Sequence, residues 1–298
     1  MKEINVQATN KVNIVGKLID AQFREGTTKN GQPYESCNYT VRVHQTIEGK
    51  DEINEIPLSM FASKYTNAGA PHPGYKNIQD MKKMKTIQEY GEAEASTIRS
   101  SSGSISENYF VSKSGQLIDG WRINTSFTSE GGKGEMATFF VDIFIMDMHD
   151  EMDRDQEPTG RLVIRGAIVQ YGGKLDVVDF IVEAPDKVEY ISRNWRVNDT
   201  VNVKGRVRFT AKETSTAPAS KSSWGEDIPD IPTTQTVREL IVTSGSDEAF
   251  DEDFAYDPAE IKKAFNTRKA NIEQAQVNAA APKKASSSSD AKKKYSWE

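Results

Sequence analysis

The 298-residue sequence predicts a mainly β protein of two small Greek-key barrels, with short helices and a C-terminal tail that is partly helical and partly disordered. Three observations predict this class. Short runs of alternating apolar and polar residues recur along the chain, three of them carry a central glycine, and helical patterns are few. Glycine inside a strand marks a bulge or a sharp bend, which lets a short sheet coil into a closed barrel.

The strands of the predicted barrels fall into two sets. The three runs with a central glycine are residues 12–18, 162–168 and 201–207. Other strand candidates are residues 37–43, 56–61, 116–127, 137–146, 177–183 and 237–243. Residues 116–146 could either close the first barrel or open the second.

Helical periodicity is confined to residues 77–95, 186–194 and 258–277. The last helix has the clearest start, because Asp257 can cap it and Pro258 suits its first turn. Runs rich in Gly, Ser and Pro predict loops at residues 69–74, 100–106 and 211–224. The Ala-, Ser- and Lys-rich residues 278–298 have almost no apolar content, which predicts disorder.

These elements divide the chain into four predicted parts. In order, they are an N-terminal arm (1–9), a first barrel (10–150) with a helical and loop insertion around 65–110, a second barrel (158–245) with a flexible loop (211–235), and a C-terminal part (246–298) that holds an acidic segment, an amphipathic helix (258–277) and a disordered tail.

Composition excludes several classes of protein. The single cysteine, Cys37, allows no intrachain disulfide, and with only three histidines it cannot form a Cys/His zinc site. No apolar run reaches the roughly 18 residues of a membrane span, and the N-terminus lacks the apolar stretch of a signal peptide. We therefore expect a cytoplasmic protein that does not associate with membranes.

The formal net charge of -6 is unevenly distributed. Residues 225–257 hold ten acids and one arginine, and residues 146–157 hold six acids and one arginine. The rest of the chain is basic, so the protein is compatible with a polyanionic partner. Ordinary solvated faces and loops are an equally good interpretation of such acidic runs.

Cations on strand faces are the first candidates for binding that partner. Alternation in residues 201–209 puts Lys204, Arg206 and Arg208 on one face, about 6.6 to 6.8 Å apart, which resembles the spacing of phosphates on an extended single strand. The same alternation turns other cations outward: Lys17, Arg42, Arg161 and Arg165. For any one strand, a solvated sheet face without a ligand is as good an interpretation.

Aromatic side chains supply the other half of a single-strand site, because a base stacked on a ring gains about 1 to 3 kcal/mol whatever its identity. Tyr34 and Tyr171 lie in turn-like sequences, where a ring has little reason to be buried. Phe61 and Trp121 are further candidates, whereas Trp195 is more typical of a core residue.

Residues 146–157 also raise the alternative of a metal-dependent nuclease, since His149 stands among Asp147, Asp150 and Asp153. The stretch lacks the glycine and the final glutamate of a calcium loop. A charged loop between two strands is the simpler interpretation. The sequence carries no catalytic motif, so we expect neither enzymatic activity nor a cofactor.

Two long runs resemble a known family. Residues 10–43 (NKVNIVGKLIDAQFREGTTKNGQPYESCNYTVRV), followed by EINEIPLSMFASKY, resemble the first three strands of bacterial single-stranded DNA-binding proteins, which are oligonucleotide/oligosaccharide-binding (OB) folds. Residues 161–209, followed by TVRELIVTSGSDEAFDEDFAYDPAEIKKAF, are similar to the single-stranded DNA-binding proteins of tailed phages of Gram-positive bacteria.

The resemblance implies an OB fold and binding of single-stranded DNA without sequence specificity. Bacterial members carry one OB fold per chain, whereas the strand pattern of this chain predicts two OB-fold-like Greek-key barrels. It also implies that the protein protects and organises single strands during DNA replication or recombination, in the host cell cytoplasm if a phage encodes it. The candidate DNA-binding residues are Lys17, Arg24, Lys29, Tyr34, Arg42, Phe61, Trp121, Arg122, Arg161, Arg165, Tyr171, Lys174, Lys204, Arg206 and Arg208.

The chain departs from the family at its C-terminus, which reads KKKYSWE where bacterial members have an acidic tip with an aromatic last residue. Acidic and aromatic residues lie instead at 247–257, a segment suited to dock on a basic replication or recombination protein or to cover the chain's own groove. In the second case, deletion after Gly245 leaves binding intact or strengthens it. The alternative function is a non-catalytic phage structural protein whose barrels only pack against neighbours.

Overall fold

The computed structural model describes residues 3–112, 116–214 and 233–280. Their strands are β1 (Asn10–Thr27), β2 (Pro33–Ile47), β3 (Lys50–Ser63), β4 (Thr97–Glu107), β5 (Phe110–Val111), β6 (Leu117–Ile118), β7 (Trp121–Thr125), β8 (Ser129–Glu130), β9 (Met136–Met152), β10 (Pro158–Val169), β11 (Leu175–Val182), β12 (Thr200–Thr214) and β13 (Thr233–Gly245). Their α-helices are α1 (Pro73–Met81), α2 (Ile87–Tyr90), α3 (Pro185–Asn194) and α4 (Pro258–Ala280). In this part of the chain, no helix combines the length and the apolar character that a membrane crossing needs.

The first barrel is a closed ring of five strands. β1 pairs with β2, and β2 pairs with β3, in antiparallel register. β3 then pairs in parallel with β7, β7 pairs antiparallel with β4, and β4 returns to β1. This is a five-stranded Greek-key ring of the OB type.

The second barrel repeats the same connectivity. Its ring runs from β9 to β10 and β11, crosses in parallel to β13, and returns through β12 to β9. A helix lies between the third and fourth strands of this ring, where α3 follows β11. In the first barrel, α1 and α2 occupy the same place in the chain order. The prediction of a mainly β protein with two OB-fold-like barrels is confirmed.

Strand β9 connects the two barrels. Its first half pairs with β1 on one edge and with β12 on the other, and its second half pairs with β10. Residues 116–146 therefore serve both barrels, since β7 closes the first ring and β9 opens the second. The predicted boundary between 150 and 158 lies at the end of β9, so it assigns to the first barrel a strand that opens the second ring. The division into domains stays a prediction.

The glycine in β12 shows why such strands bend. A Cβ atom on Gly205 would lie 1.9 Å from the carbonyl oxygen of Ile241 on β13, so no side chain fits there. The pairing of β12 with β13 shifts register between Lys204 and Gly205, which is a bulge. The glycine allows β13 to approach closely while the ring coils.

Two predicted elements need correction. The Ser- and Gly-rich residues 100–106 were predicted to form a loop but belong to β4, a strand of the first ring. The prediction was wrong because serine and glycine have a low β-propensity. The predicted helix at 77–95 is two short helices, because α1 ends at Met81 and a second helix begins after Thr86. There, Thr86 Oγ1 accepts a hydrogen bond from the backbone N–H of Glu89 at 3.2 Å. The predicted insertion around 65–110 therefore contains α1 and α2, but also β4.

The predicted flexible loop and tail lie mostly outside the described residues. β12 extends to Thr214 and β13 begins at Thr233, so both strands continue into the range 211–235. Residues 215–232 and 281–298 are not among those described. α4 covers the predicted amphipathic helix at 258–277.

The C-terminal segment before and within α4 belongs to the core. Tyr256, Ile261 and Ile272 are buried, as is the predicted core residue Trp195. The Tyr256 hydroxyl donates to the carbonyl oxygen of Val6 at 2.8 Å, and the Tyr256 backbone N–H donates to a threonine hydroxyl on β12 at 3.0 Å. The segment therefore ties the N-terminal arm to the second barrel.

Candidate nucleic-acid interface

The outer surface of β1, β2 and β3 in the first barrel carries exposed rings and cations. Strand alternation turns Cys37 and Tyr39 into the core and leaves the intervening side chains of β2 outside. We define the ring face of the protein as Arg24, Tyr34, Ser36, Asn38, Ser59 and Phe61.

Register places these side chains in cross-strand rows. Arg24 of β1 lies opposite Ser36 of β2, which lies opposite Phe61 of β3. In the next row, Asn38 lies opposite Ser59, and the Ser59 hydroxyl donates to Asn38 Oδ1 at 2.9 Å. Directly opposed residues point to the same side of a sheet, so each row presents its side chains together.

Tyr34 and Phe61 form an aromatic pair on this face. Their ring centroids are 4.9 Å apart with an interplanar angle of 36°. Phe61 is 58% exposed, which is unusual for a phenylalanine on a regular strand. The Tyr34 ring lies against Gly26 of β1, where a Cβ atom would be 2.6 Å from Tyr34 Cζ. The glycine therefore leaves the space that the Tyr34 ring occupies.

Cations surround the pair without neutralising partners. Within the described part of the chain, no carboxylate oxygen lies within 4.0 Å of Arg24 or of Lys29, which is in the turn between β1 and β2. Lys64 follows Phe61 at the end of β3, with its Nζ 5.7 Å from the centroid of the Tyr65 ring. Three predicted site residues, Arg24, Tyr34 and Phe61, thus lie together on the sheet, and Lys29 lies in the turn that joins β1 and β2.

The arginines of the second barrel differ from these cations, because they are paired with carboxylates. We call this set the arginine network: Arg161, Arg206, Arg208, Glu52, Glu151, Glu183 and Glu239. Arg206 binds Glu52 at 2.8 Å and Glu183 at 3.1 Å. Glu52 lies on β3 of the first barrel, so this contact links the two barrels.

Arg208 is the centre of the network. It binds Glu239 at 2.9 Å, Glu52 at 3.4 Å, and also Glu183. Burial alone would lower the pKa of the Arg208 guanidinium, but the hydrogen bonds to Glu183 and Glu239 raise it. Arg161 binds Glu239 at 2.6 Å, which completes the cluster.

Two carboxylates of the network, Glu52 and Glu183, have lowered pKa values. Burial would raise the pKa of Glu52, but the hydrogen bond from Asn54 and the charges of Arg206 and Arg208 outweigh it and the pKa is lowered. Burial opposes the shift at Glu183 as well, where the hydrogen bond and charge of Arg208 lower the pKa. Since these pKa values are depressed on folding, the network stabilises the fold above the ordinary glutamate pKa of about 4.3 and loses this contribution as the pH falls further.

These contacts correct the sequence-based assignment of several cations. Arg206 is buried, Arg161 and Arg208 are half-buried, and the guanidinium groups of all three bind carboxylates of the fold. Arg165 likewise binds Asp179 at 2.9 Å, and Arg42 binds Glu55 at 2.8 Å. The Lys17 ammonium donates to the carbonyl oxygen of Ala95 at 2.8 Å. A phosphate would have to displace these partners.

Trp121 also needs correction. Its side chain is 8% exposed and packs edge-on against Phe209 of β12, with ring centroids 5.6 Å apart. The guanidinium carbon of Arg238 lies 5.3 Å from the Trp121 centroid and 4.8 Å from that of Phe209. Trp121 therefore helps to hold the two barrels together and offers no free ring face.

Three other candidates lie away from the ring face. Tyr171 is 84% exposed in the turn between β10 and β11, as the sequence predicted, and Lys174 is exposed in the same turn. Arg122 is exposed on β7. Burial raises the pKa of the neighbouring Asp176 to about 6, against the lowering effects of Gln170, Arg122 and Lys174. Their role in DNA binding stays a prediction.

The acidic regions bring together no metal site in the described residues, where no group of three or more His, Cys, Asp or Glu side chains could hold an ion. His149 Nδ1 lies 2.9 Å from Asp147 Oδ2, and both side chains are exposed. In the segment 247–257, Phe254 is 65% exposed whereas Tyr256 is buried. Docking of a protein partner on this segment stays a prediction.

Replacing Arg208 with Ala should lower the free energy of unfolding by about 2 kcal/mol and leave nucleic-acid affinity unchanged. Breaking a fully buried ion pair costs about 3–5 kcal/mol, but Arg208 is still 18% exposed and Glu183 30% exposed, so the cost is smaller. Urea denaturation measures it. Arg193→Ala is the control, since Arg193 pairs with Glu189 on the exposed side of α3 and should cost about 0.5 kcal/mol or less. Equal stability of the two variants would contradict the role of the network.

Two solved structures of a single-stranded DNA-binding protein from Thermus aquaticus are similar to this chain. The wild-type protein is 12% identical, covers 84% of this chain and 98% of its own, and gives a TM-score of 0.47. A deletion mutant is 15% identical, covers 83% of this chain and 97% of its own, and gives a TM-score of 0.46. No curated protein matches the sequence. The model of the YorF family matches residues 8–278, which is most of the sequence, and the chain therefore belongs to the YorF family.

Proposed function

We propose that this protein binds single-stranded DNA without sequence preference and that the ring face is its main contact. The observation that carries the proposal is the pair of the half-buried Tyr34 and the exposed Phe61, beside cations that lack carboxylate partners. Stacked bases gain free energy on any ring, and cations follow the phosphates in the same groove. The biological setting that we propose is the protection and organisation of single strands in DNA replication or recombination, including that of a phage.

The polar residues of the ring face also support binding without sequence preference. Asn38 and Ser59 form an uncharged row with Gln22, which lies opposite Asn38 on β1. This row carries no carboxylate that would repel a phosphate. Hydroxyl and amide groups can donate to phosphate oxygens or accept from bases, so the row tolerates many sequences.

In this proposal the two barrels contribute unequally to DNA binding. The first barrel presents unpaired cations beside the rings of Tyr34 and Phe61 on its β1–β2–β3 surface. In the second barrel, the cations of the arginine network bind carboxylates of the protein, and Asp179 neutralises Arg165. We therefore expect most of the affinity to come from the first barrel.

Fluorescence anisotropy with a labelled oligothymidylate, titrated at several salt concentrations, tests the proposal. We expect binding whose logarithmic affinity falls linearly with the logarithm of the salt concentration, because each neutralised phosphate releases counterions. Failure to bind at low salt would overturn the proposal and would favour the alternative of a structural or interaction protein.

Replacing Arg24 with Ala should weaken binding several-fold and reduce the salt slope by about 0.7, since one phosphate contact on a single strand contributes about that much. Arg193→Ala removes the same charge from α3, outside the ring face, and should leave the slope unchanged. The same titration measures both variants. An unchanged slope for Arg24→Ala would show that Arg24 does not meet the phosphates.

A further inference from the structure

We propose that the same nucleic-acid strand has a second contact where the two barrels join, formed by Lys11, Phe140 and Lys204. This junction row rests on the proposed function and extends it. The sequence indicated Lys204 alone, because Lys11 and Phe140 lie on other strands and only the pairing of the sheet brings the three together.

Register sets the geometry of the junction row. Phe140 of β9 lies directly opposite Lys204 of β12 on one edge and directly opposite Lys11 of β1 on the other. All three side chains are exposed, and 37% of Phe140 is accessible. Lys204 Nζ lies 5.2 Å from the centroid of the Phe140 ring. The result is one ring with a lysine on each side, across three neighbouring strands.

The electrostatics of the junction row match those of the ring face. Among the residues whose positions are described, no carboxylate oxygen lies within 4.0 Å of Lys11 or Lys204. Arg206, two residues from Lys204 on the same face of β12, is paired with Glu52 and Glu183. Arg206 therefore binds carboxylates of the protein, whereas Lys11 and Lys204 remain available to a phosphate.

A base of the single strand can replace Lys204 over the ring of Phe140. A cation over an exposed ring is a weak interaction, so a base can stack on Phe140 while Lys204 moves to the adjoining phosphate. Lys11 would meet the phosphate on the other side of the ring. This is the combination of stacking and charge neutralisation that single-strand binding uses.

Strand β1 relates the junction row to the ring face, since it carries Lys11 near its start and Arg24 near its end. Lys11 and Arg24 are thirteen positions apart, which at about 3.3 Å per residue corresponds to about 43 Å at most. Coiling of the strand shortens this distance. At about 6.7 Å between successive phosphates, the phosphates of an oligonucleotide of about 6 residues span about 33 Å at full extension, and a strand of this length is near the lower end of the site size of one OB barrel. We therefore expect the short strand to occupy one contact, whereas one of about 20 residues can reach both.

The test is the double variant Lys11→Ala, Lys204→Ala, titrated by anisotropy with oligothymidylates of about 6 and about 20 residues. We expect a loss of about 10-fold or more with the long strand, a salt slope lower by about 1.4 for two phosphates, and unchanged binding of the short strand. Lys263→Ala with Lys269→Ala, on the exposed side of α4, removes the same charge and should change neither. Phe140→Leu removes the ring and keeps an apolar side chain, and should weaken long-strand binding only.

Thermal melting of each variant shows that the fold is retained. If the double variant binds the long strand as tightly as the wild-type protein does, the proposal of the junction row is wrong. The proposed function would stand in that case if Arg24→Ala still weakens binding. An equal loss with both lengths would also overturn it as a separate contact, because the lysines would then belong to the short site. Failure of the wild-type protein to bind either length would refute the proposed function itself.

Discussion

Deleting the chain after Gly245 should lower the free energy of unfolding by more than about 5 kcal/mol, enough to unfold many proteins of this size. The deletion removes Tyr256, Ile261 and Ile272 from the core, and each buried side chain of this size contributes about 1.5–3 kcal/mol. It also removes the hydrogen bond from Tyr256 to the N-terminal arm. Urea denaturation followed by circular dichroism measures the loss.

Two neighbouring rings provide the matched point variants. Tyr256→Ala should cost about 3–5 kcal/mol, because it leaves a cavity in the core, whereas Phe254→Ala should stay within about 0.5 kcal/mol because Phe254 is 65% exposed. A deletion variant as stable as the full chain would show that the segment does not pack in solution.

This expectation replaces the sequence-based prediction that the acidic segment is a detachable competitor for the groove. Counting charges in residues 247–257 gives a strongly acidic stretch, and that count carries no information about where Tyr256 lies. Its burial depends on the threonine of β12 that accepts its backbone N–H and on the carbonyl of Val6, residues 56 and 250 positions away. A local pattern cannot supply contacts of this range.

The same limit explains how much of the fold could be predicted. Strands that alternate cleanly, such as β2 and β12, are evident from their own residues, and so is the capped start of α4. β4 is not, because its serines and glycine are typical of loops and only pairing with β1 and β7 makes it a strand. Ring closure is likewise a property of non-local pairing.

The sequence predicted individual residues of the candidate site, but it did not predict which of the candidate cations are free of carboxylate partners. The turn-like sequence around Tyr34 predicted a ring outside the core, and alternation predicted which cations of β12 leave the sheet. Alternation could not indicate which cations meet a carboxylate from elsewhere, since Arg206 and Glu52 are 154 residues apart in the sequence. Pairing of this kind separates the arginine network from the ring face.

Replacing both Tyr34 and Phe61 with Ala should give the largest loss of single-strand affinity. Each base that stacks on a ring gains about 1–3 kcal/mol, so the loss is about 5- to 150-fold for each ring that contacts the strand. Because the rings are uncharged, the salt slope should stay as in the wild type, which distinguishes this variant from Arg24→Ala. Anisotropy titrations at several salt concentrations give both quantities. Tyr90→Ala with Phe254→Ala, both exposed rings outside the ring face, should bind as the wild type does.

Gly26→Ala tests the placement of the Tyr34 ring while leaving both aromatic residues in the chain. The added methyl group would lie 2.6 Å from Tyr34 Cζ, so the ring must move away from β1. If stacking depends on the pair as it stands beside Phe61, this variant should lose part of the affinity that the double variant loses, again with an unchanged salt slope. If instead the double variant retains wild-type affinity, the rings do not contact the strand, and single-strand binding by this protein would have to reside on another surface, of which the junction row is the first to test.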